Sequence, residues 1–227
     1  MRQFGFTSIL GRDHSKISNV NIQYKSKIEN GGLQSFSHLI PQLKEDKLFY
    51  DDDDYTIVLD GVVLNRLSLM KQESSWSQSV IGLYQKRGDL FFMDWRGSFG
   101  GFIYDKKRSR YVIFSDQTGG KLIYYSFLGN SLVISTMIAN IYALRADNGY
   151  KNNLSETGAY LLLSYGYMLG GHTLCTEVRK LESGYYAVYE NGELKTQRYC
   201  LLDNTSEDTI TEQDAIEIYD SEFRRAI

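Results

Sequence analysis

The segment FGGFIYDKKRSRYVIFSD, from Phe99 to Asp116, decides the fold. Two runs of aromatic and β-branched residues flank the polar stretch DKKRS, which is typical of two strands joined by a turn. The chain continues at once as QTGGKLIYY (117–125), where a glycine pair precedes another apolar run. We therefore predict strands over 98–105, 111–115 and 122–127, with a sheet-rich core around them.

Further strand and helix patterns extend from this hairpin in both directions. YTIVLDGVVLN (55–65) is typical of a strand, a tight turn at Asp60-Gly61 and a second apolar run. SQSVIGLYQKRG (77–88) has helical apolar spacing and ends at Gly88, a common stop signal. The other predicted elements are strands over 4–10, 20–24 and 131–135, helices over 136–145 and 155–165, a turn over 29–34, and a hairpin over 184–199 that turns at Asn191-Gly192.

The composition is that of an ordinary globular chain with many aromatic residues. Hydrophobic residues make up 42% and charged residues 23% of the 227 positions, which allows a sizeable core in one large domain or two small ones. The 18 Tyr and the single Pro (Pro41) favour a sheet-rich core. The net charge of −3 offers no basic field, so we expect no nucleic-acid partner.

Metal, redox and membrane signals are weak. Cys175 and Cys200 form no CxxC pair and the three histidines are far apart, so we expect no zinc site and two reduced thiols in a cytoplasmic protein. The run DDDD (51–54) lacks the spacing of an EF-hand loop and is predicted to be a solvated loop. No stretch approaches the roughly 20 apolar residues of a membrane span, so we expect no membrane partner.

The C-terminal segment begins a helix. TEQD (211–214) has the pattern of a capping box, and Ile216, Tyr219 and Phe223 follow at helical spacing. An apolar helix face needs a surface to pack against. Because the chain stops at Ile227, we favour a fragment of a longer protein over a terminal helix docked on its own domain.

No single motif names a reaction, because the sequence contains no Walker A loop, GxSxG elbow or GxGxxG turn after a strand. The order of several segments nevertheless resembles the glutamine amidotransferase domain of asparagine synthetases. The resembling segments are RGSFGGFIYDKKRSRYVIFSDQTGGKLIYY (96–125), LVISTMIANIYAL (132–144), LDGVVLN (59–65) and GYMLGGHTLCTEVRKLESGYYAVYENGELKTQRY (166–199). Together they cover most of residues 55–200.

The resemblance implies an α+β fold, the four-layer αββα sandwich of Ntn hydrolases, with two antiparallel sheets between helix layers. In that family the domain hydrolyses glutamine and sends ammonia to a C-terminal synthetase domain that uses ATP and Mg. The resemblance thus implies an amidotransferase-like domain over 1–205 and the start of a truncated synthetase domain over 206–227.

The family's reaction needs five groups, and the two that carry the chemistry are missing here. The first is a Cys made N-terminal by removal of Met1, whose thiolate attacks the glutamine amide. Position 2 is Arg2, which is no nucleophile. The second is an oxyanion hole made by an Asn amide and the next Gly N–H. Asp60 and Gly61 occupy these positions, and an ionised Asp60 only accepts hydrogen bonds and repels an oxyanion.

The three groups that hold the substrate are missing as well. Val62 stands where the family has the Glu that binds the substrate ammonium, and Trp76 stands where it has an Asp and is expected to fill the pocket. The Arg that clamps the substrate carboxylate has no counterpart, since no arginine occurs from Asp13 to Asn65. We therefore expect a degenerate substrate pocket at Asp60, Gly61, Val62 and Trp76, and no catalytic residue.

Other nucleophiles find little support in the sequence. Thr7 or Ser8 would need cleavage of a propeptide, and nothing marks a cleavage site. Neither Cys175 nor Cys200 has a nearby His with an evident role, so we expect both to serve packing.

Three functions remain open. The preferred hypothesis is a structural or substrate-holding domain of an ATP-dependent amide ligase related to asparagine synthetases or to lasso-peptide cyclases. Its expected partners are the C-terminal synthetase domain of the same chain and a peptide or small-molecule amine acceptor. No cofactor is expected in this chain itself, since ATP and Mg belong to the missing domain. The alternatives are an active glutamine-hydrolysing half of an asparagine synthetase and a stand-alone peptide- or protein-binding module.

Overall fold

The computed structural model describes residues 5–11, 17, 24, 26–38, 47–70, 75–201 and 210–226. Twelve strands of these residues form two six-stranded sheets in which every pair is antiparallel. Sheet A contains β1 (Gly5–Leu10), β2 (Ser26–Asn30), β3 (Leu33–His38), β8 (Tyr124–Leu128), β9 (Ser131–Ser135) and β10 (Arg179–Lys180). Sheet B contains β4 (Lys47–Asp51), β5 (Tyr55–Val63), β6 (Gly97–Asp105), β7 (Arg110–Ser115), β11 (Tyr185–Glu190) and β12 (Glu193–Arg198). The spatial orders are β10-β8-β9-β1-β3-β2 and β12-β11-β7-β6-β5-β4.

The described residues also contain five helices: α1 (Arg66–Met70), α2 (Trp76–Arg87), α3 (Ile138–Asp147), α4 (Glu156–Tyr165) and α5 (Glu212–Ala226). A short 3₁₀ turn (Gly88–Leu90) follows α2. None of the helices in the described part of the chain combines the length and apolarity needed to cross a membrane.

Alternation along the strands explains how the two sheets stack. In β1, Phe6 and Leu10 point to one face and meet Val58 and Phe102 of sheet B in a shared inner core. Ile9, of opposite parity, points to the other face of sheet A. Successive side chains of a strand point to opposite faces, so each sheet buries two surfaces and needs an outer cover.

Helices supply that cover on both sides. The outer face of sheet B packs against α2 through Val80, Ile81 and Tyr84, in a core rich in aromatic rings. The outer face of sheet A packs against α3 through Ile141 and Leu144. The order is therefore helix, sheet, sheet, helix, which confirms the predicted α+β four-layer αββα architecture.

Local signals in the sequence account for several boundaries. Ser75 caps α2 by accepting from Gln78 N, and Gly88 ends it with a positive φ of 63°. Asn191 and Gly192, with φ of 53° and 82°, form the predicted hairpin turn between β11 and β12. At the start of α5, Thr211 Oγ1 accepts from Asp214 N at 3.2 Å and Asp214 Oδ2 accepts from Thr211 N at 3.3 Å, which is the predicted capping box.

Other predictions need correction. Asp60-Gly61 is no hairpin turn, because β5 runs unbroken over Tyr55–Val63 and pairs with β6 along its whole length. The turn predicted over 29–34 is confined to residues 31–32, between β2 and β3. Asp51 of the acidic run ends β4 rather than lying in a loop. Most of the strand predicted over 20–24 lies outside the described residues.

Candidate functional site

Asp60 points into the space between the two sheets. Along β5, Val58 packs in the inner core, whereas Ile57 and Leu59 pack in the outer core beside α2. Asp60 has the parity of Val58 and therefore lies on the inner face. Its side chain is almost wholly removed from solvent, at 3% relative exposure. A buried carboxylate is costly unless it is paired, so its partners decide what this site can do.

Two lysines hold the Asp60 carboxylate. Lys47 lies directly opposite Asp60 in the β4–β5 ladder, and its Nζ is 2.9 Å from Asp60 Oδ1. Lys121 approaches from the turn after β7, with its Nζ 3.4 Å from Asp60 Oδ2. The Lys47 side chain is 7% exposed and that of Lys121 is 34% exposed. We call Lys47, Asp60 and Lys121 the Lys–Asp–Lys cluster.

The contact between Lys47 and Asp60 is ionic in character. Among the described residues, neither Lys47 Nζ nor Asp60 Oδ1 has a hydrogen-bond partner of good geometry, although the two atoms are only 2.9 Å apart. Both charged groups are almost fully removed from water, which costs a large free energy of desolvation. Their mutual attraction offsets that cost. Removal of Asp60 would leave Lys47 buried without its counter-charge.

Asp116 fixes the turn that presents Lys121. This carboxylate is fully buried and accepts hydrogen bonds from the backbone N–H groups of Phe99, Thr118, Gly120 and Lys121 at 3.0–3.2 Å. It also accepts from the Thr118 hydroxyl at 2.8 Å. Because Lys121 N is itself one of the donors, the start of its side chain is held in place from the backbone.

The beginning of β1 lies beside the Lys–Asp–Lys cluster. A Cβ atom added at Gly5 would be 3.5 Å from Asp60 Oδ2 and 1.8 Å from Thr136 Oγ1, so these groups crowd the strand start. Thr136 Oγ1 accepts from Phe6 N at 3.0 Å and anchors this end of the strand. Arg2, at the position predicted for the nucleophile, lies outside the described residues.

Gly61 and Val62 continue β5 past the cluster. Gly61 has φ of +113°, and a Cβ atom there would lie 2.1 Å from the carbonyl oxygen of Ser98. A residue with a side chain is therefore excluded, both by backbone conformation and by space. Val62 is 40% exposed and brings no charge to the site.

Trp76 does not fill the space around Asp60, which corrects the expectation from the sequence. It is the first residue of α2, and its ring centroid is 5.1 Å from that of Trp95. Both rings belong to the outer core between sheet B and α2. Asp60 lies on the opposite face of the same sheet, so Trp76 and the Lys–Asp–Lys cluster are separated by β5 itself.

The alternative hydroxyl nucleophiles are held inside β1. Thr7 Oγ1 is 2.9 Å from Ser135 Oγ and accepts from Asn140 Nδ2 at 2.9 Å. Ser8 Oγ is 2.7 Å from Ser35 Oγ. Both residues are buried and paired within the sheet, whereas the Ntn mechanism needs a free α-amine on the nucleophile.

Cys175 is buried in the core between sheet A and α3. Its thiol is 3.1 Å from Glu177 Oε2, to which it donates. Burial, together with this hydrogen bond, raises the pKa of the Cys175 thiol, so less of it is present as thiolate. The same contact holds the pKa of Glu177 at about 2. Both cysteines are free, as the sequence predicts, and Cys200 is half-buried.

Sequence reasoning found Asp60 but missed both lysines. Lys47 precedes an apolar run and Lys121 follows a glycine pair, and neither pattern signals a site. Only the β4–β5 register and the turn built on Asp116 bring them together. Within the ranges that the structure describes, no three His, Cys, Asp or Glu side chains gather as metal ligands would.

Comparison with known proteins places these features in a family. A family profile described as a glutamine amidotransferase domain matches residues 42–200. A Methanocaldococcus jannaschii protein that carries the name of a glutamine-hydrolysing asparagine synthetase is 25% identical over 166 residues, covering 68% of this chain and 32% of that protein. Among solved structures, glutamine phosphoribosylpyrophosphate amidotransferase from B. subtilis, complexed with ADP and GMP, has a TM-score of 0.52 at 13% identity.

The structural likeness extends over nearly the whole chain. It covers 90% of this chain and 45% of the B. subtilis enzyme, and a structure titled as the allosteric regulatory enzyme of purine biosynthesis gives the same values. At this identity the likeness shows the fold, which agrees with the sandwich described above. The chain spans about a third of the curated relative and less than half of the solved neighbours.

Proposed function

This chain belongs to the family of glutamine amidotransferase domains, with asparagine synthetase as a relative, and we propose that it is a catalytically inactive member that serves as a structural domain of a longer amide-forming ligase. The observation that carries the proposal is the Lys–Asp–Lys cluster. By the resemblance in sequence, its central residue Asp60 stands where the family's reaction needs an uncharged amide to donate to an oxyanion.

The cluster opposes glutamine hydrolysis for an electrostatic reason. An oxyanion hole works because donors point at the charge that develops in the transition state, and loss of one donor typically costs about 10²–10³ in rate. Asp60 offers acceptors only, and both of its oxygens already face ammonium groups. The presence of Arg2 at the nucleophile position and of Val62 at the ammonium-binding position supports the same proposal.

We propose that the parent ligase carries the chemistry in a C-terminal synthetase domain. That domain would bind ATP and Mg and activate a carboxylate, and its amine would come from solution or from a peptide or small-molecule acceptor. Residues 1–205 would then form the inactive domain, and residues 206–227 would begin the synthetase domain. In this arrangement, the present chain binds no ATP on its own.

A glutaminase assay tests the central claim. The purified chain should release no glutamate from glutamine above the blank, and a calorimetric titration with glutamine should give no binding heat. A family member that retains the N-terminal Cys serves as the positive control under the same conditions. Measurable turnover by this chain would overturn the proposal and favour an active glutamine-hydrolysing half.

The downstream coding sequence tests the rest. A reading frame that continues into an ATP-binding loop of the SGGxDS type supports the ligase parent. A natural stop near Ile227 favours instead a stand-alone binding module. Micromolar binding of ATP to the present chain would also contradict the proposal, because it would locate the nucleotide site in the wrong domain.

A further inference from the structure

One edge strand of each sheet contributes to a common groove. β10 ends the order of sheet A and β12 ends that of sheet B, and among the described residues each of them pairs with a single neighbouring strand. Residues of both strands line two cavities of about 280 and 320 Å³. The two cavities share four lining residues, so we treat them as one space and call it the edge groove: Gly170, Lys180, Glu182 and Tyr185.

The edge groove follows the chain of β12. Thr196 lines the first cavity, and Arg198 and Cys200 line the second, so the lining uses every second residue. The distance from Thr196 to Cys200 is about 13 Å at roughly 3.3 Å per residue, which is the length of about four extended residues. A long groove beside a free strand edge has the form of a site for an extended peptide.

Each sheet edge contributes an arginine to the edge groove. Arg198 pairs with Tyr185 in the β11–β12 ladder, and Arg179 pairs with Tyr125 in the β8–β10 ladder. Both tyrosines pack against the inner core, so both arginines belong to the inner faces of their sheets. Both arginines are exposed, which makes them available to a ligand.

A phenol and an imidazole orient the two guanidinium groups. The Arg198 guanidinium carbon lies 5.2 Å from the centroid of the Tyr185 ring, and Arg198 Nε donates to the Tyr185 hydroxyl at 3.1 Å. Arg179 Nη1 is 3.0 Å from His172 Nδ1. Within the described part of the chain, neither arginine forms a salt bridge with a carboxylate. The two positive charges are therefore oriented without being neutralised.

The edge groove is cationic in a protein that is acidic as a whole. Lys180 adds a third positive side chain, against the single carboxylate of Glu182. The net charge of the chain is −3, so the groove has the opposite sign. Guanidinium groups bind carboxylates through paired, charge-assisted hydrogen bonds. A ligand that complements this groove carries carboxylates.

From these observations we infer that the edge groove binds an extended acidic peptide, which adds as a strand to the free edge of β12. Side chains alternate along an extended chain, so acidic residues at every second position face the groove. Their carboxylates pair with Arg179 and Arg198, while the peptide backbone pairs with β12. The inference goes beyond the proposed function and concerns this chain by itself, so its failure would leave that proposal unchanged.

Fluorescence anisotropy with a labelled hexapeptide tests the requirement for charge. The probe is capped at both ends and has glutamate at every second position, and its glutamine analogue is the comparison. At low salt we expect the glutamate peptide to bind the 227-residue chain at least about tenfold more tightly, because only its carboxylates complement the arginines. Equal affinity for the two peptides, or no saturable binding of either, would overturn the inference.

Variants of the two arginines test the location of the site. Arg179→Gln and Arg198→Gln should each weaken binding of the glutamate peptide at least about fivefold, with an unchanged circular dichroism spectrum. Lys195→Gln is the matched control, because Lys195 lies in the same strand opposite Val188 of the outer core and so belongs to the other face. Unchanged affinity in both arginine variants, or an equal loss in the lysine variant, would contradict the assigned site.

Hydrogen exchange separates strand addition from binding of a small anion. Saturating glutamate peptide should slow exchange of the edge-facing amides in 193–198 at least about tenfold, whereas succinate or inorganic phosphate should not. A peptide that binds without protecting these amides would rule out strand addition. Displacement of the peptide by an equal concentration of succinate or phosphate would identify a small-anion site and would also overturn the inference.

Discussion

The two ends of the inner core are stabilised in different ways, one by stacked tyrosine rings and the other by buried charges. At one end, Tyr104 and Tyr111 stack with centroids 4.1 Å apart and planes within 6°, and Tyr189 lies 5.6 Å from Tyr111. At the other end, the Lys–Asp–Lys cluster joins β4, β5 and the turn after β7. Tyr104 pairs with Thr56 and Gly100 with Asp60 along β5–β6, so the two ends are about 13 Å apart at roughly 3.3 Å per residue.

The end with the stacked tyrosines, which we call the tyrosine end, is stabilised by packing of rings. The end with the Lys–Asp–Lys cluster, which we call the charged end, is stabilised by pairing of opposite charges. Buried aromatic rings gain most of their free energy from the apolar area that they remove from water and from close contact with other rings. A buried carboxylate gains only from its particular partners, and it costs several kcal/mol without them. We therefore expect the free energy of unfolding to depend on side-chain volume at the tyrosine end and on the presence of the opposite charge at the charged end.

Truncation at the tyrosine end should have the largest effect. Tyr111→Ala removes a ring that is 3% exposed, and we expect a loss of about 3–5 kcal/mol in the free energy of unfolding, measured by urea denaturation. Tyr111→Phe is the control, because it keeps the ring and removes only the hydroxyl that donates to Gly32 O at 2.5 Å. A Phe variant as unstable as the Ala variant would refute the assignment to packing.

Loss of the central carboxylate should come next. Asp60→Ala leaves Lys47 buried without its counter-charge, and we expect a loss of about 3 kcal/mol. The double variant Asp60→Ala with Lys47→Met should recover part of that loss, because it removes both charges together. If the double variant is as unstable as Asp60→Ala alone, the pair contributes nothing through charge.

Alkaline pH should weaken the fold through two buried tyrosines. Burial raises the pKa of Tyr111, at the tyrosine end, and of Tyr199, which packs against the outer core, above the ordinary value of 10.0. Above pH 10 the unfolded chain loses these protons while the folded chain retains them, so stability is lost as pH rises from about 10. The slope is at most about 1.4 kcal/mol per pH unit for each such tyrosine.

Ultraviolet absorbance of tyrosinate, followed with circular dichroism, measures this directly. The most buried tyrosines should ionise together with loss of the fold. Exposed tyrosines will ionise first without loss of the fold, but complete ionisation of all 18 tyrosines at constant circular dichroism would show that Tyr111 is accessible in the native state.

Removal of the half-exposed lysine should have the smallest effect. Lys121→Met leaves Asp60 paired with Lys47, and the lost contact is long and 34% exposed, so we expect a loss below about 1 kcal/mol. The measurement is again urea denaturation, with Lys107→Met, an exposed lysine paired to Asp54, as control. A loss near that of Asp60→Ala would mean that Lys121, rather than Lys47, compensates the buried charge.

The sequence predicted the tyrosine end better than the charged end. Alternating aromatic residues over 98–115 suffice to identify two strands with buried faces, because strand parity is a local property. Asp60 was found through resemblance, yet its lysines depend on a strand register and a turn that no local pattern encodes. The prediction of a hairpin at Asp60-Gly61 was wrong for a related reason. Gly61 allows the backbone of Ser98 in the neighbouring strand to come close, and it does not reverse the chain. Arg2 lies outside the described residues, so its role stays a prediction.

The turn built on Asp116 separates the backbone around Asp60 from the side chain that the turn places beside it. Four backbone amides and one hydroxyl satisfy this carboxylate, and none of these donors belongs to the side chain of residue 121. The turn therefore keeps its shape with any residue at position 121 that retains its backbone N–H, which excludes only proline. A substitution at position 121 therefore changes the charge beside Asp60 without changing the loop that carries it. The chemistry of the space between the sheets can change while the backbone around it stays the same.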